Sequence, residues 1–198
     1  MRIALVTIAM TMLLLQEVKA DIQPQKNFDV QRFAGKWYRV GLAYDSLSFA
    51  PYRSKLTISM GMVDPQPNGD VNMTMWTGRC VCLSTSCKSK VYVYEKTDIP
   101  GVFSYFSSRH NKVKDITVVD TNYTEYAIVF KFKKMNREYS QVSLYGRTLK
   151  LSPEVIEKFK TFSLVRGFPK DSILTPPAGG GRDTHHHTLA YNCPRSGN

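Results

Sequence analysis

The side chains best suited to covalent chemistry in this chain are four cysteines, with Cys80, Cys82 and Cys87 in one short stretch and Cys193 near the C-terminus. As disulfides, four thiols allow three complete pairings, and spacing alone does not choose among them. The Cys-x-Cys-x4-Cys stretch lacks the Cys-x2-Cys pairs or set-spaced histidine partners of zinc sites, so no metal centre is expected there. For Cys80 and Cys82 a strained local bridge and free thiols both stay open. His185-His186-His187 can hold a metal weakly, but beside Gly179-Gly180-Gly181 it reads as a solvated linker. No Ser-His-Asp arrangement or pair of carboxylates offers another chemistry. What remains is charge: 27 Lys and Arg against 16 Asp and Glu give a net +11. The basic residues are scattered over strands and turns, which argues against a nucleic-acid partner. Their densest cluster, Lys131, Lys133, Lys134 and Arg137, reads as the solvated end of a hairpin.

The elements that position these residues are mostly strands. Residues 1–20 have a basic Arg2, an apolar run from Ile3 to Leu15 and the small-residue site Val18-Lys19-Ala20, the pattern of a secretory signal peptide. That run is too short to span a bilayer, and no second one follows, so a secreted, extracellular protein without a transmembrane segment is expected. Alternation rich in Val, Ile, Thr, Tyr and Phe predicts strands over Gly35–Tyr44, Ser54–Val63, Asp70–Thr77, Val91–Glu95, Val102–Ser107, Ile116–Asp120, Glu125–Lys133 and Tyr139–Arg147. Turn signals separate them, among them Pro67-Asn68-Gly69-Asp70 and Asp98-Ile99-Pro100-Gly101. One helix follows, with Ser152 as N-cap, Pro153 at its first position, Gly167 past its end and an apolar stripe of Val155, Ile156, Phe159 and Phe162. A short strand over Ser172–Thr175 closes the domain, taken as residues 21–177, and 178–198 form a Gly- and His-containing tail.

Gly35-Lys36-Trp37 at the start of the first strand, Thr121-Asn122-Tyr123 in a late turn and Leu144-Tyr145-Gly146-Arg147 at the end of the last long strand resemble, in this order, the three signature segments of the lipocalins. The middle segment departs from the family's Thr-Asp-Tyr by Asp to Asn. The resemblance implies an all-β fold: an eight-stranded antiparallel up-and-down barrel with one C-terminal α-helix packed on its outside. It implies structural roles for Gly35, Trp37 and Arg147, with Arg147 packed on the indole of Trp37 at the closed end, a contact worth ~0.5–2 kcal/mol. It also implies a disulfide between Cys87 and Cys193 that anchors the tail.

With Trp37 pointing inward, alternation sends Arg39, Gly41 and Ala43 inward as well, and Arg147 does the same for Tyr145 and Ser143. Asn72 heads an Asn-Met-Thr sequon whose glycan must face solvent, which turns Met73 and Met75 toward the lumen. A second sequon, at Asn122, lies in the crowded signature turn. Alignment with the family adds Phe103, Tyr105, Ile116, Val118, Ala127, Val129 and Lys131. This lining suits a small apolar molecule, and small inward residues, Gly61 among them, leave room for it. Arg39 cannot shed its charge and needs an anion. Two partners stay open: a ligand carboxylate, with steering by Lys131 or Lys114, and an internal acid such as Asp120.

Within the family the chain resembles the branch of prostaglandin D synthase and alpha-1-microglobulin. The synthase mechanism needs an inward thiolate on the second strand to open an O–O bond. Gly61 occupies that position, and the supporting hydroxyl positions fall on Arg39, Val63 and Met75. The first long loop, 44–54, holds no cysteine of the alpha-1-microglobulin kind. Lys131 matches one cation of siderophore-capturing relatives, but Gln141 stands where another is expected. The reading is therefore a monomeric, non-enzymatic carrier of a small hydrophobic, anionic ligand of the fatty acid, retinoid or prostanoid class, without cofactor or metal. Prostaglandin H2 isomerisation is the disfavoured alternative, and a cell-surface receptor is left open.

Overall fold

The computed structural model describes residues 22–45, 59–76, 89–107, 112–134 and 138–175. Eight antiparallel strands follow in sequence: β1 Gly35–Tyr44, β2 Ser59–Pro65, β3 Val71–Trp76, β4 Ser89–Lys96, β5 Val102–Ser107, β6 Lys112–Thr121, β7 Tyr126–Lys134 and β8 Glu138–Gly146. Each pairs with its neighbour in the chain, and β1 pairs with both β2 and β8, so the sheet closes into an up-and-down barrel. Closure removes the free edges that an open sheet would present. The two-residue strand β9, Ile173–Leu174, lies alongside Leu42 and Ala43 of β1. The residues of the expected signal peptide, the four cysteines, the histidine-containing tail and the first half of the expected second strand lie outside the described residues.

The turns at one end of the barrel owe their shape to glycine: Gly69 (φ 93°) and Gly101 (φ 84°) hold left-handed backbone that other residues resist. The long helix, Pro153–Val165, starts where the Ser152 hydroxyl accepts the Val155 N–H at 3.4 Å. It stops at Gly167 (φ 81°), with the Phe168 N–H returning to the Ser163 carbonyl at 3.1 Å. A second helix, a single turn over Val30–Phe33, precedes β1 and carries too short a pattern to be read from sequence. Asp29 caps it by accepting the Gln31 and Arg32 N–H groups at 2.8 and 3.1 Å. In chain order the two helices are α1 (Val30–Phe33) and α2 (Pro153–Val165).

Two hydrophobic clusters result. One fills the barrel around Trp37, Met73, Phe103, Val118 and Tyr145; the other joins the outer wall to α2 through Val40, Ile128, Leu144, Val155 and Phe159. A β-bulge at Val40 corrects the expected facing of β1. Arg39 pairs with Tyr145, but after the bulge Gly41 pairs with Leu144 and Ala43 with Val142, so Gly41 and Ala43 face the helix and not the lumen. A Cβ on Gly41 would lie 3.0 Å from Leu144 Cβ and 3.2 Å from the Phe159 ring, so glycine here lets α2 approach the wall. The extra residue of a bulge reverses the side-chain alternation beyond it, which composition does not reveal. A second shift follows Val118 in β6, where Asp120 turns outward. Phe159 is fully buried in the joint between wall and helix. Phe159→Ala is expected to lower unfolding free energy by about 3–5 kcal/mol in urea titrations monitored by circular dichroism.

Candidate functional site

The barrel is stoppered at one end by the segment that precedes β1. Gln25 ties it to β6, its N–H donating to the Val118 carbonyl at 2.8 Å and its side-chain oxygen accepting the Thr121 N–H at 3.0 Å. Phe33 stacks on Trp37 with ring centroids 5.0 Å apart, and the indole N–H donates to the Phe33 carbonyl at 2.8 Å. Arg147 lies 3.8 Å from the Trp37 ring centroid. Its guanidinium donates to the carbonyls of Tyr123 (2.9 Å), Lys36 (2.9 Å) and Arg32 (3.1 Å). Gly35 combines φ of 94° with the close passage of Arg147, whose Nη1 would sit 3.3 Å from a Cβ. In the β6–β7 turn the Asn122 Oδ1 accepts the N–H groups of Glu125 and Tyr126 at 2.9 and 3.1 Å. An amide oxygen therefore does what a carboxylate would do there, and the turn keeps its shape without the acid.

Above this floor lies a cavity of about 40 Å³. On a scale where one water needs roughly 10–15 Å³, that is room for a few water-sized groups. Its wall is apolar at the base, with Val63, Val71, Met73, Phe103, Ile116, Val118 and Val129, and gains Tyr94, Lys131 and Tyr145 toward its upper end. Of the residues expected to line the lumen, Arg39, Met75, Tyr105 and Ser143 do not border this cavity. Strand pairing places them on the same inner face: Arg39 opposite Tyr145, Met75 opposite Gly61, Ser143 opposite Val129 and Tyr105 opposite Lys114.

The room expected at Gly61 is occupied. A Cβ there would meet Met73 Cε at 2.7 Å and Met75 Sδ at 2.9 Å, so the two thioethers fill the space a side chain would take. Both contacts are flexible side-chain ends, which makes this part of the wall adaptable. Phe33, Val63, Val71 and Tyr94 were missed as lining. Tyr94 could have been found from its alternation with Tyr92, but the signal is inverted: Val91 and Val93 are exposed on the outer face while the tyrosines point inward. Tyr92, Tyr94 and Tyr105 pack against one another with centroids 5.3–6.3 Å apart.

The electrostatics of the lumen centre on Arg39 and Lys131. Arg39 Nε and the hydroxyl of its cross-strand partner Ser59 are buried without hydrogen-bond partners. Asp120, one proposed partner for Arg39, lies outside the barrel, 2.6 Å from Lys158 of α2, and also accepts the Tyr126 hydroxyl at 3.1 Å. That reading is therefore corrected. Lys131 Nζ lies 3.4 Å from the Tyr145 hydroxyl and 5.9 Å from the Tyr94 and Tyr145 ring centroids. Burial pushes the Tyr145 phenol up, but the charges of Lys131 and Arg39 outweigh it and hold the phenol below the ordinary tyrosine range. For Lys131, burial opposes the ammonium, and the phenolic oxygens of Tyr145 and Tyr94 more than restore it, so this lysine stays charged. The arrangement is an apolar cup beneath a positive girdle.

Comparison with known proteins agrees with this geometry. The model of the "Lipocalin / cytosolic fatty-acid binding protein family" matches residues 34–179. A dog protein named prostaglandin-H2 D-isomerase is 32% identical over 161 residues, covering 80% of this chain and 82% of its own. A cane toad (Rhinella marina) protein named lipocalin is 32% identical, covering 81% of this chain and 86% of its own. Bovine protein AMBP is 35% identical over 81% of this chain, which spans 45% of that longer protein. The solved structure of the siderocalin Ex-FABP superposes with a TM-score of 0.61 at 23% identity, covering 75% of this chain and 96% of that one, a likeness of fold. Replacing Arg147 with Lys keeps the charge but loses the planar stack and at least one carbonyl contact. It is expected to cost about 2 kcal/mol of stability and to weaken the near-UV circular dichroism of Trp37.

Proposed function

The chain belongs to the lipocalin family, and from that membership and the chemistry of its lumen we propose that it binds and carries a small hydrophobic anion, of the fatty acid, retinoid or prostanoid class. The observation that carries this reading is the buried, unpartnered Nε of Arg39 above an apolar cavity. A half-buried guanidinium with an orphaned Nε and no carboxylate partner is costly, and a ligand acid group entering the lumen supplies the missing charge. Met73, which borders the cavity and can move away from Gly61, lets the wall conform to more than one tail. Residues 1–20 act as a secretory signal, 21–177 form the binding domain, and Cys87 pairs with Cys193 to hold the tail. Asn72, partly exposed on the outer face of β3, carries the glycan of the better-placed sequon. No helix among the described residues is long and apolar enough to cross a membrane.

Fatty acids and retinoids should quench tryptophan fluorescence saturably, and absence of saturation across both classes overturns the carrier reading. Arg39→Met should weaken a fatty acid or retinoic acid by about tenfold or more while leaving the matching alcohol within about twofold. Equal losses for acid and alcohol would remove the pairing role of Arg39.

The names of several relatives favour a second reading, conversion of prostaglandin H2. Against it stands the inner wall itself: Gly61 sits between Trp37 and Met75 and supplies no nucleophile. Val63 and Met75 supply no hydroxyl, and the hydroxyls of the cross-strand partners of Arg39, Ser59 and Tyr145, are far weaker nucleophiles than a thiolate. Incubation with prostaglandin H2 should give prostaglandin D2 no faster than the spontaneous reaction. Turnover clearly above that rate defeats the non-enzymatic reading.

A further inference from the structure

The charges carried by the strands are sorted between the two faces of the barrel wall. Asp64, Glu95 and Asp115 are exposed on the outer face, and Asp120 is paired with Lys158 there. The inner face carries cations instead. Arg39 and Lys131 stand in its middle, and Lys90 and Lys114 stand toward the open end, opposite Met75 and Tyr105. Each of the three lysines lies over a tyrosine ring: Lys131 at 5.9 Å from Tyr94, Lys90 at 4.7 Å from Tyr92 and Lys114 at 5.3 Å from Tyr105. For Lys131 and Lys90 the phenol ring is a weak electrostatic partner, worth far less than a carboxylate.

A ligand with one negative charge pairs with only one of the two half-buried lumenal cations, Arg39 and Lys131, and leaves the other without a counter-charge. We infer that the head group this lumen holds most tightly carries two negative charges, as a phosphate monoester does, so a dianionic amphiphile is preferred over the monocarboxylic acids of the carrier reading. The inference rests on that reading and extends it. Four observations support it: the two lumenal cations, the orphaned Arg39 Nε, the Ser59 hydroxyl beside it free to donate, and the absence of a carboxylate from the inner face of the strands among the described residues. The field at the Tyr145 oxygen, positive enough to draw the phenol below its ordinary range despite burial, reports the same excess of charge.

The test compares octyl phosphate, octyl sulfate and octanol by calorimetric titration of the full-length protein. The two anions share a tail and a tetrahedral head, but only the phosphate gains a second charge, with its second pKa near 6. The groups that face the head are Arg39 on β1, Lys90, Tyr92 and Tyr94 on β4, Tyr105 on β5, Lys114 on β6, Lys131 on β7, and Tyr139 and Tyr145 on β8. None of these is a carboxylate or a histidine; Asp45 at the end of β1, whose carboxyl burial pushes up and whose charge reaches Tyr139, is separated by the variant Asp45→Asn, so a change between about pH 5 and pH 8 that survives in that variant belongs to the ligand.

Octyl phosphate is expected to bind about tenfold tighter than octyl sulfate near pH 8, with the advantage shrinking below about threefold near pH 5. Arg39→Met and Lys131→Met should each remove most of that advantage, with folding checked by thermal melts. Tyr145→Phe should keep its pH dependence. Equal binding of the two anions near pH 8, an advantage that pH does not move, or its loss in Tyr145→Phe overturns the dianion and leaves the carrier reading intact. If none of the three octyl compounds binds, and fatty acids and retinoids also fail, the carrier reading falls and this inference with it.

Discussion

One guanidinium holds the closed end together. Arg147, at the end of β8, donates to carbonyls of α1, β1 and the β6–β7 turn while its plane covers the indole of Trp37. Three segments, each more than 20 residues earlier in the chain, are thereby fixed to one side chain, and the geometry needs a planar, permanently charged fork that lysine does not provide. This constraint makes the interior a cup rather than a tube. It also fixes the inward facing of Trp37, from which the facing of every paired residue around the barrel follows until a bulge intervenes. Gly35 exists in this frame because a side chain there would collide with the arginine that closes it.

The bulges decide where that regularity ends. Val40 and Val119 both interrupt walls that pack against the α2 cluster. At each, the alternation shifts by one residue, so that Gly41, Ala43 and Asp120 turn toward the helix or the outer surface while Leu42 and Thr121 take inward places opposite Ser143 and Ala127. Arg39 is the last residue of β1 to share the inner face with Trp37 before the shift, and Asp120 is carried outward by the second one to meet Lys158. The cation and the acid that sequence parity would have brought together inside the barrel are thus separated by the wall. Lumenal charge is a product of backbone irregularity as much as of side-chain choice.

Much of the fold was legible because local signals agreed with one another. The limits of β1 and β5, the helix between Ser152 and Gly167, the short closing strand and the hold of Arg147 on Trp37 rest on turn residues, caps and period-two alternation. What escaped was set by tertiary contacts. The bulge at Val40 has no composition of its own, so Gly41 and Ala43 read as lumenal although Gly41 serves the approach of Phe159. At Gly61 the sequence shows a missing side chain but not that Met73 and Met75 fill the gap. In β4 the usual rule is inverted, with valines outside and tyrosines within, because tyrosine rings also serve as platforms for lysine ammonium groups. The single turn α1 is too short for any periodic signal, yet it delivers Phe33 to the floor of the cavity.

The inner face also shows how binding and stability oppose each other in a small barrel. A lumen filled with aliphatic side chains would pack better than one holding Arg39 and Lys131, and natural sequences depart from local consistency of this kind chiefly at functional sites. The cost is limited here by placement. Both cations stand above the Trp37 floor and below the open end, where tyrosine hydroxyls and ring faces soften their fields without cancelling them. Below them the cavity is apolar and small, bounded on one side by Met73, which can move away from Gly61. The proposed amphiphilic ligand fits this order, with its tail on the apolar floor and its head group among the cations above, whereas a compound that is only greasy or only charged would match one of the two environments and leave the other unmet.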